Sequence, residues 1–214
     1  MKTYIFLILF FLIEFSFGQK KECSCQLDSF INKNTTDCKT TYLRNGSKLY
    51  WQFNCNSIWL TLENKKGKKI KINDIPIEYY SYTHRVGYDI VKEYKKSLLF
   101  RYGCPANGPC MFTLVDKYNG KKLNQFPELI YNHNTQLFYD FIIYFSSPNT
   151  LTLYFIETNK KHKISINRKY FNAVIPEYQF DDVILKNNIV TLTYNSNELD
   201  TTGKIIIDLK KYRH

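Results

Sequence analysis

The chain has 214 residues, of which 44% are hydrophobic and 17% aromatic, and its formal net charge is +11. This length and hydrophobic content suit one domain with a real core and exclude a disordered chain. Lysine greatly outnumbers arginine, which argues against a specific nucleic-acid reader, because such proteins rely on bidentate arginine contacts. The charge excess has a second explanation in A/T-rich codon bias, so it does not identify a partner.

Residues 1–18 have the three parts of a secretory signal peptide. Lys2 supplies the positive charge, an apolar core runs from Tyr4 to Phe15, and Ser16–Gly18 supply small residues before a cleavage site. The apolar core is too short to span a membrane comfortably. We therefore expect a mature chain that begins at Gln19, has no transmembrane segment and is exported to the periplasm or the extracellular space.

Residues 19–47 are predicted to form a polar, cysteine-containing leader. Six cysteines in an exported chain indicate disulfides. Cys23 and Cys25 are too close in sequence to bond each other, so each is expected to pair with Cys38 or Cys55, and both pairings remain open. A zinc site formed by these four thiolates is the alternative, although the spacing lacks the C-x2-C pairs typical of structural zinc.

From residue 48 onward, short β-forming stretches alternate with polar turns, which predicts one all-β domain over residues 48–214. Strands are expected at Lys48–Phe53 and Ile58–Leu62, and a third begins at Ile70 after a lysine-rich turn. Residues 74–94 are predicted to be a connection rich in tyrosine. No amphipathic helix of ten or more residues is apparent.

A stapled hairpin is predicted between Leu98 and Val115. The loop between its strands holds Pro105, Asn107, Gly108 and Pro109, residues that favour chain reversal. Apolar residues lie on both faces of its two strands, which is typical of strands buried on two sides. The loop is flanked by Cys104 and Cys110, for which a disulfide is expected and a redox or metal-binding loop is the alternative.

Four cycles of strand, turn, strand, turn and strand begin near Lys48, Leu98, Phe141 and Ile189. This period resembles that of β-propeller repeats, including kelch repeats, in length and rhythm, although the glycine and tryptophan signatures of those families are absent. A β-sandwich of antiparallel strands fits the same pattern. We therefore expect an antiparallel all-β fold of about four three-stranded meanders, either propeller-like or a sandwich.

Lysine clusters recur in the turns that follow the middle strand of three cycles. Equivalent turns of a repeat fall on the same side of a fold, so these lysines are expected to form one basic surface for an anionic polymer or a cell envelope. Solvated hairpin tips in a lysine-rich chain are the alternative explanation. The residues are Lys65, Lys66, Lys68, Lys69, Lys121, Lys122, Lys160, Lys161 and Lys163.

The tyrosine-rich connection is a second candidate site, for a carbohydrate. Its rings offer stacking surfaces and its polar groups offer hydrogen bonds to hydroxyls, but the same tyrosines also suit packing over a sheet. The residues are Tyr79, Tyr80, Tyr82, His84, Arg85 and Tyr88.

Catalytic chemistry has little support in the sequence. The histidines at 84, 133, 162 and 214 show no metal-ligand spacing, and neither a nucleophile elbow nor a phosphate-binding loop is present. Asp181 and Asp182, with scattered glutamates, offer a dispersed carboxylate pair for a hydrolase. We expect a non-catalytic binding protein without a cofactor or metal.

Overall fold

The computed structural model describes residues 22–130, 139–167, 173–196 and 201–213. The predicted signal peptide, His133 and His214 lie outside these residues. The prediction of an antiparallel all-β fold is confirmed, because the described residues form four antiparallel sheets, each a meander of consecutive strands.

The first two sheets have four strands each. In both, the strands are rich in β-branched, aromatic and other apolar residues, and every turn except β5–β6 contains asparagine or glycine. Sheet 1 contains β1 (Thr41–Tyr42), β2 (Lys48–Phe53), β3 (Ser57–Glu63) and β4 (Lys69–Pro76), and sheet 2 contains β5 (Asp89–Glu93), β6 (Ser97–Tyr102), β7 (Met111–Asp116) and β8 (Lys122–Phe126).

The last two sheets have three strands each. Sheet 3 contains β9 (Phe141–Ser147), β10 (Thr150–Phe155) and β11 (Lys161–Ser165), and sheet 4 contains β12 (Phe180–Lys186), β13 (Ile189–Ser196) and β14 (Thr201–Asp208). Helices in the described residues are short. They are α1 (Ser29–Asn34), the 3-10 helix η1 (Ile77–Tyr82), α2 (Thr83–Val86), η2 (Pro176–Gln179) and η3 (Leu209–Lys211).

Three strand assignments differ from the sequence prediction. The predicted connection over residues 74–94 is only partly irregular, because β4 continues to Pro76 and β5 occupies Asp89–Glu93. The fourth sheet begins at Phe180 rather than near Ile189. The last strand of the third cycle begins at Lys161, two residues before the start predicted at Lys163.

Successive sheets share hydrophobic cores. Sheet 2 packs against sheet 1 through Leu98, Phe100 and Val115, and against sheet 3 through the alternating residues Leu99 and Phe112. This two-sided burial of the β6–β7 hairpin agrees with the sequence prediction. Sheet 3 in turn shares a third core with sheet 4, centred on Leu151, Leu153, Val190, Leu192 and Ile207.

Rings cross the boundary between sheets 2 and 3. The Phe126 ring centroid lies 5.2 Å from those of Tyr144 and Tyr154, in edge-to-face geometry. The four sheets are therefore arranged in chain order, each in contact with the next.

Three disulfides reinforce this arrangement, and all involve the predicted cysteines. The pairing left open by the sequence is Cys23 with Cys38 and Cys25 with Cys55. The third joins Cys104 to Cys110 across the β6–β7 loop, as predicted. Because all six cysteines are in disulfides, no thiolate is left to form the alternative zinc site or a metal-binding loop at Cys104 and Cys110.

Candidate functional site

Two lysine-bearing turns owe their shape to a preceding Asx residue. Asn64 Oδ1 accepts hydrogen bonds from the backbone N–H groups of Lys66 and Lys68, both at 3.0 Å. Asp116 Oδ1 accepts from the backbone N–H of Tyr118 at 2.8 Å and from that of Asn119 at 3.1 Å. Because the side chains of Asn64 and Asp116 satisfy backbone donors, the turns close without help from their lysines. The lysine side chains are left at the surface.

These two turns lie next to each other. Gly120, at φ +71°, sits so close to β4 that a Cβ atom there would be 2.7 Å from Ile70 Cγ2 and 2.9 Å from Ile72 Cγ2. On the other side, the Asn45 side-chain amide donates to the Lys117 carbonyl at 3.5 Å. The β1–β2, β3–β4 and β7–β8 turns are thus packed side by side at one end of sheets 1 and 2.

The β10–β11 turn belongs to the same end of the molecule. Lys161 Nζ donates to Asn124 Oδ1 of β8 at 3.4 Å. The backbone carbonyl of Asp140, just before β9, accepts the backbone N–H of Ile156 at 3.1 Å. Burial raises the pKa of Tyr94, and the negative charge of the Asp140 carboxylate raises it further. Sheet 3 therefore adds its lysine turn to those of sheets 1 and 2.

We call this continuous end of the molecule the lysine rim. All its lysine side chains are exposed. Sequence analysis missed two of its members, Lys95 and Lys96, because β5 was not recognised as a strand. The backbone N–H of Lys117 donates to the Lys96 carbonyl at 3.0 Å, and this contact places the β5–β6 turn in the rim. The rim comprises Lys65, Lys66, Lys68, Lys69, Lys95, Lys96, Lys121, Lys122, Lys160 and Lys161.

Lys163 is the one predicted member that lies neither in a turn nor at the first residue of a strand. It lies within β11, opposite Thr152, and its side chain is exposed on the same face of the strand as that of Lys161. Residues 201–204, with the sequence TTGK, belong to the fourth cycle and are not equivalent to the other lysine turns. It starts β14, whereas the end of β14 leads to Arg213, whose guanidinium lies 3.3 Å from Asp140 Oδ1 at the lysine rim. Lys204 therefore lies toward the opposite end.

Two lysines at the same end of the molecule, which are not members of the rim, form ion pairs that stabilise the fold. Lys117 is buried, with Nζ 2.7 Å from Glu93 Oε1 and 2.9 Å from the Tyr94 carbonyl. Lys48 pairs with Glu63 at 2.9 Å, and this hydrogen bond is the main reason that the pKa of the Glu63 carboxyl lies below its ordinary value. By contrast, Lys66, Lys68 and Lys121 form no ion pair within the described ranges.

A cleft of about 340 Å³ lies at the opposite end of sheets 1 and 2. One wall is the segment that follows α1, which is held to the sheet by the disulfides Cys23–Cys38 and Cys25–Cys55. The other walls come from β2, the η1–α2 region and the start of β5. The lining residues are Asn34, Thr35, Thr36, Trp51, Tyr80, Ser81, Thr83, His84, Tyr88 and Asp89.

The predicted carbohydrate-binding residues divide into two groups. Tyr80, His84 and Tyr88 line the cleft. Tyr79 and Tyr82 are about half exposed, at 49% and 50%, but are not part of its lining. Arg85 is half-buried, and its carbonyl accepts the backbone N–H of Cys104 at 2.8 Å. The structure therefore brings together half of the predicted set.

Tyr88 acts in the cleft mainly as packing. Only 5% of its surface is exposed, and its ring stacks on Phe100 at a centroid distance of 5.1 Å and meets Tyr102 edge to face. Sequence analysis missed one ring of the cleft, that of Trp51. Trp51 lies within a core strand, and its sequence neighbours do not indicate that part of the ring lines a cleft.

The predicted carboxylate residues belong to sheet 4. Asp181 and Asp182 are both exposed at the start of β12. Across the ranges that the structure covers, no group of three or more His, Cys, Asp and Glu residues is placed to hold a metal ion. His162 lies between aromatic rings, 6.0 Å from that of Phe155 and 5.3 Å from that of Tyr212.

Comparison of the chain with protein-family models finds no match, and comparison with curated proteins finds no significant similarity. Among the helices of the described residues, none has the length and apolar character needed to cross a bilayer. The lysine rim and the cleft are the two surface features that bear on function.

Proposed function

We propose that the protein is a non-catalytic binding protein that contacts an anionic polymer, or the anionic surface of a cell envelope, through its lysine rim. The observation that carries this proposal is the adjacency of the lysine turns. Gly120 packs on Ile70 and Ile72, and Lys161 reaches Asn124, so clusters that are far apart in sequence form one basic edge.

The chemistry of the rim favours a repeating anion over a single small one. Flexible ammonium groups spread along an edge act as separate point charges, and each neutralised phosphate or sulfate releases counterions. A rim built from lysines in turns has no fixed fork for one anion, so we expect broad recognition of polyanions that weakens as ionic strength rises.

The compartment agrees with such a role. Three disulfides are consistent with an oxidising environment outside the cytoplasm. The proposed export by a signal peptide over residues 1–18 would place the lysine rim where envelope polymers are found.

We also infer that the four sheets form an open, propeller-like stack instead of a two-sheet sandwich. The support is that each of three hydrophobic cores is shared by consecutive sheets, as blades pack in a propeller. In that arrangement equivalent turns recur at one end, which gives the lysine rim its continuity.

The test compares two triple variants with the same change in net charge. Lys66→Gln, Lys68→Gln and Lys121→Gln remove three exposed charges from the rim, whereas Lys33→Gln, Lys39→Gln and Lys204→Gln remove three exposed charges elsewhere. On heparin-agarose we expect the rim variant to elute at clearly lower salt than the control variant. Elution of both variants at the same salt concentration would contradict the proposal, because net charge alone would then explain retention.

A further inference from the structure

The cleft differs in charge from the rest of the molecule. The chain carries a net charge of +11, yet among the described residues no lysine or arginine lines the cleft. Its one carboxylate, Asp89, lies 3.7 Å from the Arg101 guanidinium, which partly offsets its charge. A site with this lining gives no charge-based attraction to an anion and suits a neutral, polar ligand.

An aromatic ring forms part of the cleft. Trp51 is half-buried in β2 and packs with the cores on both sides of it. Its ring is held by close contact with Gly87, where a Cβ atom would lie 2.7 Å from Trp51 Cη2. A fixed indole ring offers a flat apolar surface at little cost in conformational entropy.

Polar groups surround that ring. Asn34 Nδ2 donates to the Phe30 carbonyl at 2.8 Å, which leaves the Asn34 carbonyl oxygen as an acceptor. Ser81 and His84 are exposed, and in the described part of the chain their side chains form no hydrogen bond. These groups, with the Asp89 carboxylate, offer both donors and acceptors to ligand hydroxyls.

We propose that this cleft binds one unit of a neutral carbohydrate, with a sugar face on Trp51 and its hydroxyls bonded by Asn34, Ser81, His84 and Asp89. The C–H face of a sugar ring is apolar, whereas its edge carries hydroxyls, and this combination matches an aromatic surface edged by polar groups. The volume of about 340 Å³ lies at the small end of the range of about 300–1,000 Å³ for ligand sites. The site is distinct from the lysine rim and does not depend on the proposed function.

Tryptophan fluorescence gives a direct test, because the chain has two tryptophans and only Trp51 lines the cleft. Trp59→Phe leaves Trp51 as the reporter, and Trp51→Phe leaves Trp59. The probes are glucose, galactose, mannose, N-acetylglucosamine, maltose and cellobiose. We expect at least one of them to give a saturable emission change in Trp59→Phe and none to do so in Trp51→Phe.

A second pair of variants tests the polar groups without touching the core. Ser81→Ala with His84→Ala should weaken the Kd of the best sugar about 20-fold, because each lost hydrogen bond removes a modest share of the affinity. Tyr79→Ala with Tyr82→Ala removes half-exposed rings of the same connection outside the cleft and should leave the Kd unchanged.

Two results would overturn the proposal. One is that no neutral sugar in the panel changes Trp51 emission while the protein is folded by circular dichroism. The other is that Tyr79→Ala with Tyr82→Ala weakens the Kd while Ser81→Ala with His84→Ala leaves it unchanged, which would place the ligand on the exposed tyrosines instead of in the cleft. The lysine-rim proposal is tested by heparin retention, which does not depend on sugar binding in the cleft. Failure of this inference is therefore distinguishable from failure of the lysine-rim proposal.

Discussion

The lysine rim and the cleft lie at opposite ends of the same strands, and they are built in opposite ways. β2 begins beside the rim at Lys48 and carries Trp51 toward the cleft. The rim consists of short turns, each shaped by its own sequence. The cleft is assembled from residues 34–36, 51 and 80–89, which come together only when disulfides and sheet packing fix their positions.

This contrast shows how one repeated meander supports two surfaces of different chemistry. At the rim, Asn64 and Asp116 satisfy the backbone of the β3–β4 and β7–β8 turns locally, so the lysine side chains of these turns vary without cost to the fold. At the cleft, polar side chains share space with core residues such as Tyr88, which leaves them much less freedom to vary.

The largest expected effect comes from removal of the disulfide that ties the cleft wall to sheet 1. Cys25→Ser with Cys55→Ser opens a loop of 30 residues and should lower the free energy of unfolding by about 3–4 kcal/mol, because the unfolded chain gains entropy. Urea denaturation measures this loss. Sugar binding should also weaken, whereas heparin retention of the folded variant should not change.

The matched control is Cys104→Ser with Cys110→Ser, which opens a loop of only 6 residues. Its cost should be smaller, about 2 kcal/mol, with sugar binding intact. If the control variant lost sugar binding and the Cys25–Cys55 variant kept it, the assignment of the cleft wall to the disulfide-tied segment would be wrong.

The features that depend only on nearby residues, in the rim and elsewhere, were predictable from sequence. The β6–β7 hairpin and its disulfide were predicted because turn residues, cysteines and two-sided apolar strands all lie within about one hairpin of sequence. β5 was missed because Asp89, Lys92 and Glu93 give its five residues a polar pattern, and its turn lysines were missed with it.

The cleft was predicted only in part for a physical reason. Tyrosines between β4 and β5 suggested a sugar site, but sequence contains no signal for which rings would be exposed. Trp51 reads as a core residue of β2, and Asn34 reads as a polar residue of the leader. Their meeting depends on cysteine pairing that the spacing left open.

The next effect in size concerns the packing of one rim turn on its neighbour. Gly120→Ala places a Cβ within 2.7 Å of Ile70 Cγ2, whereas Gly67→Ala, at a similar positive φ of +77°, meets nothing within 4 Å. Both variants bear the cost of a left-handed alanine, about 1 kcal/mol. Gly120→Ala should lose about 1–2 kcal/mol more through overpacking.

Urea denaturation of the two glycine variants gives the comparison directly. Equal losses of unfolding free energy would show that the β7–β8 turn is not packed against β4, and the continuity of the lysine rim would then lose its main support.

The smallest effect is a pH dependence at the base of the rim. Hydrogen bonding from Lys48 lowers the Glu63 pKa below its ordinary value of 4.5, so the pair stabilises the fold above about pH 4.5 and loses that stabilisation as the pH falls through the lowered pKa. Glu63→Gln should therefore lower the urea midpoint at pH 7 and have less effect at pH 3. An equal effect at both pH values would exclude ionisation of Glu63 as the cause.

The most direct test of the central claim, that charge at the lysine rim binds polyanions, is the salt dependence of binding to fluorescein-labelled polyphosphate. We predict that the triple variant at Lys66, Lys68 and Lys121 reduces the slope of log K against log salt by about 2, since each anion contact contributes about 0.7–0.9 to the slope. The control triple at Lys33, Lys39 and Lys204 should keep the slope of the unmodified protein. Equal slopes for the two variants would contradict the assignment of binding to the rim.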